Sequence, residues 1–337
     1  MKPPYQITDT IFKLVVDISE RLGEINATHL YKPPTKLRKK NRIKTIQSSL
    51  EIEGNTLTEE QITALLNDKR VIAPQKDILE VKNAIKVYEQ LREFNPNKLK
   101  DLENAHAILM KGLIDDAGKL RTKNVGIVKG SKVEHVAPSG TMIKGLMNDL
   151  FDYLKTDTDV LLIKSCVFHY EFEFIHPFLD GNGQMGRLWQ TLILMQKYPV
   201  FEYLPVESLI KENQEAYYKA LSISDKKATS TPFIEFMLNI ILQALENLLK
   251  TQNRTLTAED RIELYKDIIG DSDFSRKDYL LKYKDISQAT ASRDLKWAVE
   301  QEILIKTGDK RLTKYKFNST LNPQLNNFAI TNDFSGL

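Results

Sequence analysis

Apolar residues recur along most of the chain at the spacing of an α-helix. The first run is a stripe of five residues: Ile11, Leu14, Val15, Ile18 and Leu22. Residues three, four and seven positions apart lie on one face of a helix. Similar stripes predict helices over 37–50, 58–66, 78–91, 102–113, 163–174 and 185–193. The pattern therefore predicts a mostly helical fold.

Two stretches depart from this pattern. Val125–Val136 is rich in β-branched residues, with Gly130 and Ser131 between two short runs, and it predicts a β-hairpin or flap. After Asn253, three short helical patterns precede two strand-like runs that meet at a tight turn, Gly308-Asp309. Three helices followed by a hairpin is the element order of a winged helix, so we predict one near the C-terminus.

Composition narrows the class of protein. The chain has 337 residues, of which 42% are hydrophobic and 28% charged, and this length predicts two or three domains. A net charge of +3 is too small to imply nucleic acid or a membrane as a partner of the whole chain. The single cysteine, Cys166, excludes an internal disulfide framework and fits a reducing compartment. The start lacks the apolar core of a signal peptide, and Phe233–Leu249 is interrupted by polar residues. We therefore expect a cytoplasmic protein without a membrane span.

One loop carries most of the candidate chemistry. Residues 176–187 read His-Pro-Phe-Leu-Asp-Gly-Asn-Gly-Gln-Met-Gly-Arg, with helical patterns on both sides. The glycines at 181 and 183 leave backbone N–H groups unobstructed at a helix N-terminus, which is an anion site. Asp180 offers hard oxygen ligands for Mg²⁺, and Arg187 lies one helical turn beyond Gly183. His176 could accept a proton from a hydroxyl. These are the parts required for transfer of part of a nucleotide.

The order of these residues resembles the signature of the Fic family, His-x-Phe-x-Asp/Glu-Gly-Asn-Gly-Arg-x-x-Arg. The matching residues are His176, Phe178, Asp180, Gly181, Asn182, Gly183 and Arg187. Residues 105–121 are similar to the stretch before the family's flap, 125–138 to the flap, and 212–218 to the segment whose paired tyrosines line the adenine pocket. The resemblance covers residues 37–245, most of the chain.

The resemblance implies a helical fold and transfer of AMP from ATP to a protein hydroxyl, with release of pyrophosphate. By similarity, His176 is the general base and Asp180 holds Mg²⁺. The nucleotide would be bound by Gly181, Asn182, Gly183, Gln184, Arg187, Tyr217 and Tyr218. The flap would hold the target in a strand-like pose through Val125, Ile127, Val128, Lys129 and Gly130. The expected partners are ATP and a target protein, which can be the chain itself.

Two positions depart from the family pattern. The family's first arginine is Gln184 here, which keeps a hydrogen-bond donor but loses the charge. A charged donor to phosphate is worth roughly 1–3 kcal/mol, so we expect weaker or altered handling of the nucleotide. The second is Asp225, where the family often has an asparagine near the nucleotide.

The segment Ser48–Asn55 has two interpretations. On its residues alone it is a helix C-terminus with a solvated carboxylate at Glu53. Ser49 and Glu53 are four residues apart and share a helix face. The segment also resembles the Fic inhibitory motif Ser/Thr-x-x-x-Glu-Gly/Asn, with Gly54 at its end. By similarity, Glu53 would pair with Arg187 and occupy the site of the terminal phosphate.

The predicted winged helix also has two readings. Polar and basic residues would line its recognition helix at 288, 290, 292, 293 and 296, and its wing at 310, 311 and 314. They favour contacts with DNA. The alternative is a module for protein interaction or dimerisation, because the excess of basic residues is modest. The sequence leaves open a homodimer.

Three functions remain in competition. The favoured one is a self-inhibited protein adenylyltransferase. The second is a DNA-binding regulator that senses nucleotide and transfers little, and the third is removal of AMP from a modified protein, with Glu53 positioning water. We predict four regions: N-terminal helices with the inhibitory helix (1–98, with that helix at 37–55), a Fic core (99–250), a winged helix (255–320) and a C-terminal extension (321–337).

Overall fold

The structure is a computed structural model that describes residues 2–27, 35–129, 132–250, 256–284, 286–309 and 312–318; over 126–129 and 132–136 it describes the backbone. Within these ranges the chain forms fourteen α-helices and two separate two-stranded antiparallel sheets. The predicted mostly helical fold is confirmed. Residues 28–34, with the double proline, and 321–337 lie outside the described residues.

The chain divides into two compact units. One comprises Met1–Tyr31 and Lys40–Lys250, and the other comprises Lys32–Lys39 and Thr251–Leu337. The predicted regions 1–98 and 99–250 thus belong to one unit, apart from residues 32–39.

Eleven helices precede residue 251 in the described part of the chain. They are α1 (Asp9–Ala27), α2 (Thr35–Ile52), α3 (Glu59–Leu66), α4 (Gln75–Glu89), α5 (Leu99–Leu109), α6 (Ile143–Thr156), α7 (Leu161–Ile175), α8 (Asn182–Met195), α9 (Val206–Glu212), α10 (Gln214–Lys227) and α11 (Thr231–Lys250). Short 3₁₀ helices at Leu91–Glu93 and Pro199–Tyr203 follow α4 and α8.

Helices α7 and α8 form the centre of this unit. Eleven of the fifteen residues of α7 are buried, including the thiol of Cys166. Helix α8 packs along α7, and α6 and α11 cover other sides of α7. Trp189 of α8 is fully buried and donates its indole N–H to the carbonyl of Pro96. Burial of apolar area is the main stabilising contribution to such a helix pair, and it fixes the loop that joins them.

Local signals in the sequence account for several helix boundaries. Thr58 caps α3 with a capping box, in which its hydroxyl accepts from the N–H of Gln61 and the Gln61 side chain accepts from the N–H of Thr58. Gly54 follows α2 with a φ of 94°, a left-handed conformation that favours glycine. Helix α6 is not among the helices predicted above, although its buried residues recur at helical spacing.

The predicted hairpin is present as β1 (Gly126–Lys129) and β2 (Lys132–Val136), paired antiparallel. Gly126 pairs with Val136 and Lys129 with Lys132, and a β-bulge interrupts the register between Ile127 and Val128. A bulge bends a hairpin and increases its twist. Gly130 lies outside the described residues.

By length and composition alone, α11 is apolar enough to cross a membrane, and it is the one such helix in the described ranges. Half of its apolar window is buried, and the helix packs against α1, α7 and α10. Core helices pass the same test, so composition is weak evidence for a membrane span here.

The second unit follows the predicted element order. Three helices, α12 (Ala258–Ile269), α13 (Arg276–Lys282) and α14 (Gln288–Glu300), precede β3 (Leu304–Thr307) and β4 (Lys314–Phe317). The two strands pair antiparallel, and Phe274 adds a backbone bridge to Tyr315 of β4. Aromatic side chains fill the centre of the unit, where the rings of Tyr265 and Phe274 lie 4.8 Å apart.

A buried ion pair joins α12 to α14 inside this unit. The guanidinium of Arg261 donates to both carboxylate oxygens of Asp294, at 2.6 and 2.8 Å, and Asp294 is 2% exposed. The hydroxyl of Tyr279 donates to the same carboxylate at 3.2 Å. Bidentate pairing with further hydrogen bonds is the arrangement that compensates two buried charges for their lost hydration.

Removal of one partner should therefore unfold this unit selectively. Asp294→Ala leaves the Arg261 charge buried without its carboxylate, which we expect to cost about 3–5 kcal/mol. The control is Glu300→Ala on the same helix, because Glu300 and its partner Lys296 are both exposed and such pairs contribute about 1 kcal/mol or less. Urea denaturation of the full chain measures both. Equal losses in the two variants would contradict the assignment.

Candidate functional site

The candidate site lies where α7 ends and α8 begins. Helix α7 stops at His176, whose backbone is left-handed (φ 50°, ψ 62°) and whose N–H still donates to the carbonyl of Phe172 at 2.9 Å. A non-glycine residue in this region is uncommon and is held there by its surroundings. The turn places half-buried His176 beside the loop that leads into α8.

Asn182 braces this loop from within. Its side-chain Oδ1 accepts from the N–H of Phe178, and its Nδ2 donates to the carbonyl of Phe178, both at 2.9 Å. Sequence reasoning assigned Asn182 to the nucleotide and missed this internal use. Gly181 is left-handed (φ 78°), and a Cβ there would lie 2.7 Å from the sulfur of Met110. The loop therefore requires glycine at 181 both for its backbone and for its packing.

His106 of α5 is a second support that sequence reasoning missed. The N–H of Gly118 donates to its Nδ1 at 2.8 Å, so its Nε2–H donates to the carbonyl of Asp180 at 3.0 Å. Its ring stacks on that of Phe178, with centroids 3.6 Å apart. Burial lowers the pKa of His106, so the neutral ring that these hydrogen bonds require is favoured.

The first turn of α8 has the features of an anion site. Its N-terminus carries unobstructed N–H groups and the positive end of the helix dipole. The carboxylate of Glu53 already lies there, because a Cβ added to Gly183 would collide with its Oε1. Gly183 is thus required for the close approach of an oxygen anion to this turn.

Arg187, one turn further along α8, binds the same carboxylate. Its Nη2 donates to Glu53 Oε1 at 2.7 Å and to the carbonyl of Ser49 at 2.9 Å, and its Nε donates to the Ser49 hydroxyl at 3.2 Å. The side chain of Arg187 is 1% exposed, whereas that of Glu53 is 36% exposed. Burial lowers the pKa of Arg187, but Glu53, together with Tyr217 and Glu173, outweighs this effect, so the pKa is raised overall. The end of α2, before Gly54, is therefore fixed onto α8 by this contact.

A second carboxyl group lies behind Arg187. Glu207 of α9 is 2% exposed and lines a small cavity together with Arg187, Gln190 and Thr191. Burial raises the pKa of Glu207 from 4.5 to about 7, although Arg187 acts in the opposite direction. Glu53 is therefore not the sole acidic group that acts on the Arg187 charge.

The paired tyrosines occupy different environments. Tyr217 is 1% exposed and donates its hydroxyl to His169 Nε2 at 3.0 Å, while His169 Nδ1 bonds to Gln190 at 2.7 Å. Burial lowers the pKa of His169 to about 3, so the ring stays neutral. Tyr218 is half-buried and packs edge-on against Tyr217 at 5.4 Å. Tyr217 therefore belongs to the buried core beside α7, and Tyr218 is the more exposed of the two tyrosines.

Asp180 suits a magnesium ion that retains most of its water. Its carboxylate is exposed, and Oδ1 accepts the N–H of Gly181 at 2.8 Å. No cluster of three or more His, Cys, Asp or Glu residues able to hold a metal occurs within the described ranges. A single protein carboxylate is sufficient when phosphates supply further oxygen ligands, so Asp180 fits Mg²⁺ bound together with a nucleotide.

The remaining predicted residues lie around this loop. Gln184 is half-buried and lines a cavity with Ser49, Leu50 and Tyr88, and within the described ranges its side chain makes no hydrogen bond. Val125 immediately precedes β1, and the backbones of residues 127–129 lie in that strand. The side chains of 127–129 and all of Gly130 lie outside the described residues.

Comparison with known proteins agrees with this geometry. The model of the Fic/DOC family matches residues 96–194. The crystal structure of a Fic family protein from Desulfovibrio desulfuricans G20 is 40% identical, with a TM-score of 0.72, over 95% of this chain and 99% of that chain. The chain belongs to the Fic family. The helical Fic fold expected from the resemblance is thereby confirmed.

Curated relatives in this family match a smaller part of each chain. Protein adenylyltransferase Fic of Aedes aegypti is 30% identical over 217 residues, which is 60% of this chain and 41% of the relative. Protein adenylyltransferase fic-1 of Caenorhabditis briggsae is 28% identical over 207 residues, which is 57% of this chain and 38% of the relative. The chain spans about two fifths of the length of these relatives.

The buried carboxyl of Glu207 should make the stability of this Fic protein depend on pH. Its pKa is higher in the folded than in the unfolded state, so the folded state holds more protons between 4.5 and about 7. The free energy of unfolding should fall as the pH rises through this window, by up to about 1.4 kcal/mol per pH unit for one group.

Glu207→Gln should reduce this slope without abolishing it, because burial also raises the pKa of Glu171 to about 7. Urea denaturation below, within and above the window measures the slope. An unchanged slope in Glu207→Gln would contradict the assignment.

Proposed function

We propose that this chain is a protein adenylyltransferase that its own helix α2 inhibits. One observation carries the proposal: Glu53 lies in the anion site at the start of α8 and pairs with Arg187. The fold and the loop are those of the Fic family, and the curated relatives named above are called protein adenylyltransferases. The inhibitory role of Glu53 and the identity of the target belong to this proposal.

The reaction would join a target hydroxyl to the α-phosphorus of ATP. The hydroxyl oxygen attacks phosphorus, the bond from the α-phosphorus to the bridging oxygen breaks, and pyrophosphate leaves with that oxygen. His176 accepts the proton of the hydroxyl. The N–H groups at the start of α8 stabilise the negative charge on the α-phosphate, and Arg187 binds the terminal phosphate.

Magnesium would be held at Asp180 together with the phosphates. When bound, it neutralises charge on the phosphate oxygens. The exposed carboxylate of Asp180 is oriented by its bond to the N–H of Gly181. The flap formed by β1 and β2 would hold the target segment beside this site by main-chain pairing.

Inhibition follows from competition for one cation. Arg187 is buried. Glu53 occupies the position in which a phosphate oxygen would accept a hydrogen bond from Arg187 Nη2. ATP must therefore displace Glu53 or bind without this interaction, and its α-phosphate is then misplaced for attack. Loss of one charged hydrogen bond to the terminal phosphate, which leaves with pyrophosphate, costs roughly 1–3 kcal/mol, or about one to two orders of magnitude in rate.

Removal of Glu53 should activate the protein. Glu53→Gly should raise self-modification by ATP labelled on the α-phosphate by about 10-fold or more, and His176→Ala in the same background should abolish it. Glu51→Gly is the matched control, because Glu51 is a carboxylate at the same helix end that bonds to Gln47.

Autoradiography and intact-mass measurement detect the added AMP. Equal labelling of the wild type and Glu53→Gly would contradict inhibition by Glu53. Removal of AMP from a modified target by the wild type, lost in Glu53→Gly, would instead support the reverse reaction, with Glu53 positioning water.

One observation favours a second activity, DNA binding by the second unit. One face of α14 is buried through Ala291, Asp294, Leu295 and Ala298. Arg293 and Lys296 project from its exposed side, and the hydroxyl of Ser292 there accepts a hydrogen bond from Arg276 at 2.8 Å. A helix that exposes cations and is followed in the chain by a β-hairpin fits contacts to the phosphates of DNA. The wing residues Lys310 and Arg311 lie outside the described residues.

We predict salt-dependent binding of duplex DNA through this helix. Arg293→Ala combined with Lys296→Ala should reduce the dependence of log Kd on log salt by about two, roughly one for each phosphate that the variant no longer binds. The control is Lys76→Ala combined with Lys100→Ala, because both lysines are exposed in the first unit. Fluorescence anisotropy measures binding. The absence of any DNA binding at low salt would exclude this activity.

A further inference from the structure

Arg121 is buried next to the site. It belongs neither to the family signature nor to the residues given a role in the proposed reaction. Its side chain is 3% exposed and donates four hydrogen bonds, each to a backbone carbonyl. The distances are 2.6 Å to His176, 2.7 Å to Lys123, 2.8 Å to Pro138 and 3.1 Å to Ile175. It forms no ion pair with a described carboxylate, and burial lowers the pKa of its guanidinium. A buried cation whose side-chain hydrogen bonds go to backbone carbonyls indicates that the residue positions the backbone.

Two of these carbonyls belong to the left-handed end of α7. The Nε–H bonds to the carbonyl of His176, and Nη2 bonds to that of Ile175. The main-chain N–H of Arg121 also donates to the carbonyl of Pro177 at 2.9 Å. Three consecutive carbonyls, at 175, 176 and 177, are thus bound by one residue. Carbonyls at a helix C-terminus are short of donors and carry the negative end of the dipole, so a cation there is favourable.

The other two carbonyls belong to the segments that flank the hairpin on either side, which we call its roots. Lys123 lies three residues before β1, and Pro138 lies two residues after β2. Nη1 binds the first carbonyl and Nη2 the second. The planar guanidinium therefore fixes both roots of the hairpin and the backbone of His176 within one rigid group.

The roots of the hairpin are also locked to each other. A Cβ on Gly140 would collide with the carbonyl of Thr122, so the two backbones are in direct contact. The side chain of Asn124 accepts from the N–H of Gly140 at 3.0 Å and from the hydroxyl of Ser139 at 3.2 Å. The two ends of the hairpin are thus held together, and Arg121 joins them to the end of α7.

We propose that Arg121 is the positioning residue that sets the register between the target-holding flap and the base His176. A target segment paired to the flap brings its hydroxyl to His176 only if these two backbones keep a fixed relation. Arg121 supplies that relation without contact with the nucleotide. The inference rests on the proposed function, because it takes His176 as the base and the hairpin as the target-holding element.

The test uses the full chain with Glu53→Gly as the parent. Arg121→Lys keeps a positive charge but cannot reach four carbonyls from one planar group, and Arg121→Met removes all four bonds. Lys164→Met is the matched control, because Lys164 is also a buried cation whose bond is to a carbonyl, that of Leu154, away from the loop. Two readouts are measured: AMP transfer as a function of ATP concentration, and hydrogen exchange of the backbone.

Arg121→Lys should lower kcat for self-modification on the order of 100-fold, the effect of a misplaced reacting group, and leave the KM for ATP unchanged. Exchange should become faster in both 122–140 and 174–180 in the two Arg121 variants, and in neither segment in Lys164→Met. A fall in ATP affinity in step with the fall in kcat would overturn the proposal, because it indicates general loss of structure. Exchange that stays slow in the Arg121 variants, or becomes faster throughout the chain, would overturn it as well.

The two readouts separate the two proposals. If the Glu53→Gly parent transfers no AMP, the proposed function fails, whereas exchange in segments 122–140 and 174–180 still decides whether Arg121 couples the hairpin to the end of α7. If the parent transfers AMP and Arg121→Lys transfers it equally fast, the proposed function stands and the role of Arg121 is wrong.

Discussion

The contact between Arg187 and the end of α2 is the interaction on which the state of the site depends. Arg187 is a buried cation in the second turn of α8, and a buried charge must be compensated by a partner. Glu53 compensates it in this structure, at 2.7 Å, and Ser49 supplies two further oxygens. A nucleotide phosphate is, like this carboxylate, an anion that presents oxygens to a guanidinium. Under the proposed function, Glu53 and a nucleotide phosphate would compete for this one cation.

The remainder of the loop is held rigidly, which would give the proposed competition a chemical consequence. Asn182 and the ring of His106 hold the loop between α7 and α8 from either side, through bonds to Phe178 and Asp180. Side chains that are fixed by packing and hydrogen bonds keep a reacting group in place better than mobile ones do. Under the proposed function, a terminal phosphate that is not bound by Arg187 would shift against a rigid loop, and the α-phosphate would leave the reach of His176.

The sequence indicated which residues the structure brings together around the α7–α8 loop, but not the residues that support that loop. The boundaries of α2, the hairpin and the α7–α8 loop follow from Gly54, β-branched residues and glycines, which act locally. The approach of Glu53 to Arg187 was expected from the family resemblance, because both partners are side chains that a sequence motif can specify. The bonds of the Asn182 and Arg121 side chains are to backbone groups, which nearly every residue carries, so no sequence pattern marks them. The burial of Tyr217 depends on its hydrogen bond to His169 of α7, which adjacent tyrosines do not reveal.

The most direct measurement is calorimetric binding of ATP and of AMP to the wild type and to Glu53→Gly. Only ATP carries the terminal phosphate that would meet Arg187 in place of Glu53. We predict that Glu53→Gly tightens ATP binding about 10-fold, equivalent to about 1.4 kcal/mol, and leaves AMP binding unchanged. Equal changes for the two nucleotides, or none for ATP, would contradict the competition between Glu53 and the phosphate for Arg187.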